Sequence, residues 1–122
     1  MDEKVRTTLA SLQSRNLKGF FVEDIEDAKN KIMDLIPEEA VVGIGDSTTV
    51  RQIGVIEQLK KRGTKVLDGF DRKAIYASIK NWEQREDLVR MSAICDVFLT
   101  GTNTITQDGR LANVDAAGTR VA

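Results

Sequence analysis

The chain has 122 residues, 41% of them hydrophobic and 30% charged, and its net charge is −1. This length favours one domain, residues 1–122, with a core of its own, and the scattered charges argue against binding to nucleic acid or to a membrane surface. The absence of histidine and the presence of one cysteine, Cys95, argue against a metal site or other cofactor in this chain. The first residues, "MDEKVRTTL", lack the apolar segment of a secretory leader, and there is no apolar run of about 20 residues, so we predict a cytoplasmic protein.

The first third of the chain predicts two helices separated by a short strand. Apolar residues at helical spacing begin at Val5 and stop before Gly19, which we interpret as a left-handed helix cap. The apolar run at residues 20–22 is a candidate strand. Acidic residues then favour the start of a second helix, which ends at Pro37.

The rest of the chain alternates strands with helices. Residues 40–44 and 64–68 predict strands that flank one helix over residues 48–62, and residues 70–94 predict one or two helices with Leu88, Met91 and Cys95 towards the core. A buried strand follows at residues 95–101, and Asp108-Gly109 then indicates a hairpin. This alternation predicts an α/β fold with a mostly parallel sheet.

The loop "GIGDSTT" at residues 43–49 joins a predicted strand to a helix. Gly43 and Gly45 allow a ligand to approach the backbone closely, and the amides and hydroxyls that follow suit a phosphate or carboxylate. The alternative is that Ser47 or Asp46 only caps the helix. A dinucleotide fingerprint would need a third glycine at Thr48, and a P-loop would need a lysine that is missing here.

A second polar loop, "TGTNTIT" at residues 100–106, follows the last buried strand. Asn103, Asn113 and Arg120 lie in or after it, and Arg120 could bind a carboxylate or phosphate bidentately. The alternative is that these polar residues only form turns. Because both loops follow strands of one parallel sheet, they are candidates for a common site.

Taken together, the two loops and their surroundings resemble the lactate-utilisation (LUD) domain of the LutC-type family, over residues 17–122. The most specific part is "DVFLTGTNTITQDGRL". The chain departs from the family at Asp46 and Ala116, where glycines are usual, and at Thr119, where asparagine is usual. Family members also continue beyond the final "RVA", so we expect the natural chain to be longer and this one to be truncated at its C-terminus.

The resemblance extends to the NagB/RpiA/CoA-transferase-like superfamily, which implies a three-layer, Rossmann-like fold. In its ribose-5-phosphate isomerases a loop at the position of "GIGDSTT" binds phosphate and a second loop carries catalytic acids. No acid stands at residues 101–104 here, so Asp108 and Asp115 are weak catalytic candidates. The predicted ligand-binding residues are Gly43, Gly45, Ser47, Thr48, Thr49, Gly101, Thr102, Asn103, Asn113 and Arg120, with a small anionic metabolite as ligand.

Three functions remain open at this point. The resemblance implies a subunit of an L-lactate oxidation system, with the redox cofactors in iron–sulfur partner proteins. A stand-alone binder or enzyme for a phosphorylated or acyl metabolite is the second hypothesis, and a scaffold with a vestigial pocket is the third. A truncated sheet would leave an edge uncovered, which favours a homo-oligomer.

Overall fold

The computed structural model describes residues 1–114, which form α-helices around a small parallel sheet and end in a hairpin. In chain order the elements are α1 (Glu3–Ser14), α2 (Ile25–Leu35), β1 (Val41–Ile44), α3 (Thr48–Ile53), α4 (Val55–Lys61), β2 (Lys65–Asp68), α5 (Arg72–Ala77), α6 (Ile79–Ser92), β3 (Val97–Leu99), β4 (Thr104–Ile105) and β5 (Leu111–Ala112). No helix within this range is long and apolar enough to cross a membrane.

The sheet has the order β2-β1-β3, with both pairs parallel. Val42 on the central strand aligns with Val66 on one side and with Val97 on the other. The entry to β3 is fixed by Asp96, whose carboxylate accepts a hydrogen bond from the Val41 amide at 2.8 Å. The predicted α/β fold with a parallel sheet is confirmed.

One face of the sheet forms the hydrophobic core. Val42 and Ile44 are fully buried on this face and pack with Val55 and Leu59 of α4, which are also fully buried. Burial of each such side chain contributes about 1.5–3 kcal/mol. Helices α2, α3 and α4 therefore make one layer over the sheet.

The opposite face of the sheet is covered by α6, which approaches the strands through glycines. A Cβ at Gly43 would lie 2.8 Å from the backbone oxygen of Ser92 and 2.9 Å from the Cys95 sulfur, and one at Gly69 would lie 2.7 Å from Val89. Only glycine leaves room for a helix this near. Helices on both faces of the sheet give the predicted three layers.

Two local predictions near the N-terminus are wrong. The left-handed residue after α1 is Asn16, with φ of 61°, and not Gly19. Residues 20–22 are not a strand, because Phe20 and Phe21 pair with no other strand and stay about half exposed. The Lys31 ammonium lies over the Phe20 ring, 4.0 Å from its centroid.

The helix predicted over residues 48–62 is divided into α3 and α4. Gly54 takes a left-handed conformation with φ of 80°, ends α3 and precedes α4. The predicted core position of Met91 is also wrong, since 45% of it is exposed. Val89 and Ser92 face the sheet instead.

The predicted hairpin is confirmed, with β4 and β5 antiparallel. Gly109 has φ of 83°, and a Cβ there would lie 2.7–2.9 Å from the backbone of Ser11 and Leu12. The hairpin turn therefore packs directly against α1.

We predict that Gly43→Ala destabilises the protein by about 1–3 kcal/mol, because the added methyl group meets the helix backbone. Gly19→Ala is the matched control, since its methyl group would meet only the side-chain ends of Leu9 and Leu12, at 2.8 and 3.0 Å. Urea unfolding of both variants measures the difference. Equal losses would contradict a special role for the approach of α6 to β1.

Candidate functional site

The two predicted loops are neighbours where they leave the sheet. The Gly45 amide donates a 2.8 Å hydrogen bond to the Leu99 carbonyl, which extends the pairing of β1 and β3 by one residue. A Cβ at Gly45 would lie 2.6 Å from the Thr100 hydroxyl oxygen. The structure thus brings Gly45 against the start of the loop that continues through Gly101.

The glycines of the first loop face protein atoms. Gly43 lies inside β1 and faces Ser92, and Gly45 faces Thr100. Both positions are buried. Close packing thus accounts for glycine at both positions without any ligand.

The hydroxyl residues of the first loop have different roles. Ser47 is 2% exposed, and its oxygen accepts the Val50 amide at 3.2 Å, which caps α3. Thr48 and Thr49 follow on the exposed surface of the first turn. Since α3 has only six residues, an anion beside it requires charge from side chains.

The polar residues of the second loop bind one another. The Asn113 side-chain oxygen accepts from the Thr102 hydroxyl at 3.0 Å and from the Asn103 amide at 3.1 Å. The Asn103 side chain in turn accepts the Val114 amide at 2.9 Å. These contacts tie residues 102–103 to residues 113–114, so they hold the two ends of the hairpin together.

Asp108, a catalytic candidate, belongs to the hairpin turn. Its carboxylate accepts a hydrogen bond from Thr106 and lies 3.1 Å from Arg110 and 3.8 Å from Arg15. The Thr106 hydroxyl, followed by the two arginines, lowers the pKa of Asp108, which favours a charged structural carboxylate over a proton donor. The other candidates, Asp115 and Arg120, lie outside the described residues.

A cavity of about 390 Å³ opens beside the first loop, beyond the carboxyl ends of β1 and β2. It is lined by Asp46, Thr48, Arg51, Phe70, Asp71, Arg72 and Lys73. We call it the strand-end cavity. Thr48 is the one predicted site residue among those that line it.

Arg51 is a cation of this cavity that is paired with a buried acid. Its two terminal nitrogens donate to the two oxygens of Asp68 at 2.9 and 2.7 Å, and Asp68 also accepts the Phe70 amide at 3.0 Å. The side chain of Asp68 is 4% exposed and that of Arg51 is 31% exposed. The hydrogen bond to Asp68 raises the pKa of Arg51 despite partial burial, so Arg51 is a permanent cation fixed between α3 and β2.

The lining of the cavity contains three cationic and two acidic side chains. One of these acids, Asp71, accepts the Ala74 amide as the cap of α5, and Arg51 is matched by Asp68. Arg72 and Lys73 are exposed in the first turn of α5, and neither forms an ion pair with another residue in 1–114. These two side chains can therefore turn towards an anion.

The site residues predicted from the sequence did not include Arg51, Arg72 or Lys73. The signal for Arg72 and Lys73 was the stretch "LDGFDRK", which leads from the end of β2 into α5 as the glycine loop leads from the end of β1 into α3. Ligands of parallel α/β sheets bind beyond the carboxyl ends of the strands, and that rule applies to β2 as well. As for metals, no group of three or more acidic or cysteine ligands was found within residues 1–114.

We predict that Asp68→Asn destabilises the protein by about 1–3 kcal/mol, because it leaves the half-buried Arg51 without its charged partner. The matched control is Asp87→Asn, which removes an exposed carboxylate 4.0 Å from Arg90 and should cost at most about 0.5 kcal/mol. Chemical denaturation of both variants measures this. A loss no larger than that of the control would show that the pair does not hold α3 to β2.

A second prediction concerns the stability of the protein at low pH. The folded state lowers the pKa of Asp108 below its ordinary value of 3.8, so its stabilising effect is complete above that value and is lost as the pH falls through the lowered pKa. Asp108→Asn should therefore lose less stability than the wild type between about pH 5 and pH 2.5. Thermal unfolding across this range, at low salt and in 0.5 M salt, measures it; identical slopes at low salt would contradict the prediction.

Comparisons with known proteins give one result. Searches of curated proteins and of solved structures found no match. A family model described as the LUD domain matches residues 5–122, which is nearly the whole chain and begins earlier than the resemblance noted from the loops. The chain belongs to the LUD domain family.

Proposed function

We propose that this chain is a LutC-type lactate utilisation protein that binds a small anionic metabolite in the strand-end cavity. Membership of the LUD family supports a role in lactate utilisation. The observation that carries the binding proposal is the fixed guanidinium of Arg51 beside Arg72 and Lys73, beyond the ends of two parallel strands.

The cavity suits a carboxylate or phosphate that also carries hydroxyl groups. Arg72 and Lys73 supply exposed cations, and Arg51 supplies one that is held by Asp68. Thr48 and Asp71 can form hydrogen bonds with hydroxyl groups of the same ligand. A volume of about 390 Å³ is at the lower end for small-molecule sites, which favours a metabolite over a polymer.

The proposal places the redox chemistry of lactate oxidation in iron–sulfur partner proteins. This chain has no histidine and one cysteine, and the sulfur of that cysteine lies within hydrogen-bonding distance of the backbone oxygens of Ser92 and Val97. The chain's own contribution is then to bind and orient the anion. We also assign the chain to the NagB/RpiA/CoA-transferase-like superfamily as part of this proposal, and the phosphate-binding loop that its ribose-5-phosphate isomerases have at the position of residues 43–49 supports a ligand at this edge of the sheet.

Calorimetric titration tests the binding proposal. The ligands are L-lactate, pyruvate, inorganic phosphate and coenzyme A, and the protein is compared with the double variant Arg72→Ala/Lys73→Ala. We expect one or more of these anions to bind the wild type and to bind the variant at least tenfold more weakly. At about one hundred times its dissociation constant, such a ligand should also stabilise the wild type by roughly 2.7 kcal/mol.

The matched control is Lys60→Ala/Lys61→Ala, which removes an adjacent exposed basic pair at the end of α4. This variant should bind as the wild type does. Equal weakening in both double variants would reduce the effect to net charge, and no binding of any anion would contradict the cavity as a site.

Deletion of the gene in its natural host should abolish growth on L-lactate; unimpaired growth would contradict the lactate role and favour a stand-alone binder.

A further inference from the structure

A second concave surface is separate from the strand-end cavity, since the two have no lining residue in common. It is a groove of about 670 Å³ between α1, residues 17–21 and the hairpin. Its lining consists of Lys4, Val5, Thr8, Leu9, Leu12, Leu17, Lys18, Gly19, Phe20, Phe21, Ile105, Gln107 and Leu111. We call it the α1 groove.

The α1 groove exposes much apolar surface. Leu17, Phe20, Phe21, Ile105 and Leu111 line it, and between 42% and 52% of each of these residues is exposed. A soluble protein rarely leaves this many large apolar side chains around one concavity unless something binds there.

The walls of the groove are held in place by contacts within the chain. The Arg15 side chain donates to the Asp108 carbonyl at 2.8 Å, and the turn at Gly109 packs on the backbone of Ser11. The Leu17 amide donates to the Leu12 carbonyl at 2.9 Å, which turns the chain back along α1. Because the groove is already formed, less conformational entropy is lost when a ligand binds to it.

The charges at the groove have one sign. Lys4 and Lys18 line it, and the Lys31 ammonium lies over the Phe20 ring. No acidic side chain is among the lining residues in 1–114. A second copy of the same surface would bring lysines against lysines, so the charge favours an acidic partner over self-association.

We propose that the α1 groove binds an acidic amphipathic helix of a partner protein. α1 has 12 residues, which makes a wall about 18 Å long, enough to lie against three turns of another helix. Apolar residues of that helix at positions i, i+3, i+4 and i+7 would contact the exposed leucines and phenylalanines. Its acidic residues would lie beside Lys4 and Lys18.

A displayed library of random 14-residue peptides, selected on the immobilised protein, tests the proposal without assuming a partner. The peptides that are enriched should combine apolar residues at helical spacing with flanking Glu or Asp. The consensus peptide, carrying a fluorophore, is then titrated with protein variants, and its anisotropy gives the dissociation constant. Circular dichroism establishes that each variant is folded.

Two pairs of variants make the readout specific. Lys4→Glu/Lys18→Glu should weaken binding at least tenfold, and the charge-matched Lys60→Glu/Lys61→Glu should leave it within twofold of the wild type. Phe21→Ser should weaken binding at least tenfold, and Ile79→Ser, which changes an exposed apolar residue outside the groove (79% exposed), should leave it unchanged.

Four results would overturn the proposal. They are a selection that enriches nothing, enriched peptides without acidic residues, binding that is indifferent to Lys4→Glu/Lys18→Glu, and self-association that Phe21→Ser abolishes in sedimentation. The last would identify a second copy as the occupant. None of these results bears on anion binding in the strand-end cavity, because the variants and the probe are different.

Discussion

The close approach of α6 to β1 is the constraint on which the rest of the structure depends. At Gly43 a methyl group would lie 2.8 Å from the Ser92 carbonyl oxygen, and the Cys95 thiol donates to that same oxygen at 2.8 Å. The end of α6 is therefore fixed against the central strand just before β3 begins. This sets where β3 enters the sheet, and hence where Gly45 meets Thr100 at the opposite ends of the strands.

The pair between Arg51 and Asp68 organises the strand-end cavity in a comparable way. Asp68 is the last residue of β2 and almost fully buried, so its carboxylate places the guanidinium of Arg51 at the edge of the sheet. An arginine held on both terminal nitrogens loses little further side-chain entropy when a ligand binds. The exposed Arg72 and Lys73 can then adjust to the shape of the anion.

The strands could be predicted from the sequence because β1 and β3 are short apolar runs that need no knowledge of their neighbours. The break at Gly54 could not, because a glycine within a helical pattern is often tolerated and only the packing of α3 and α4 determines its φ. Residues 20–22 have strand-like composition but no neighbouring strand to pair with. In the candidate site, Thr48 could be predicted because it belongs to the glycine loop. Arg51 could not, because its position depends on a contact with Asp68, which is 17 residues away in the sequence.

The position of β1 in the sheet gives it one partner that is near in sequence and one that is distant. The residues that β1 pairs with in β2 are 24 positions further along the chain, as for Val41 and Lys65. The pairs with β3 are much further apart in sequence, as for Val42 and Val97. During synthesis β1 and β2 can pair while the sequence of β3 is still unmade, and contacts this distant in sequence form slowly. Until β3 docks, one side of the most buried strand presents unpaired amides and carbonyls, and such an edge can pair with other chains.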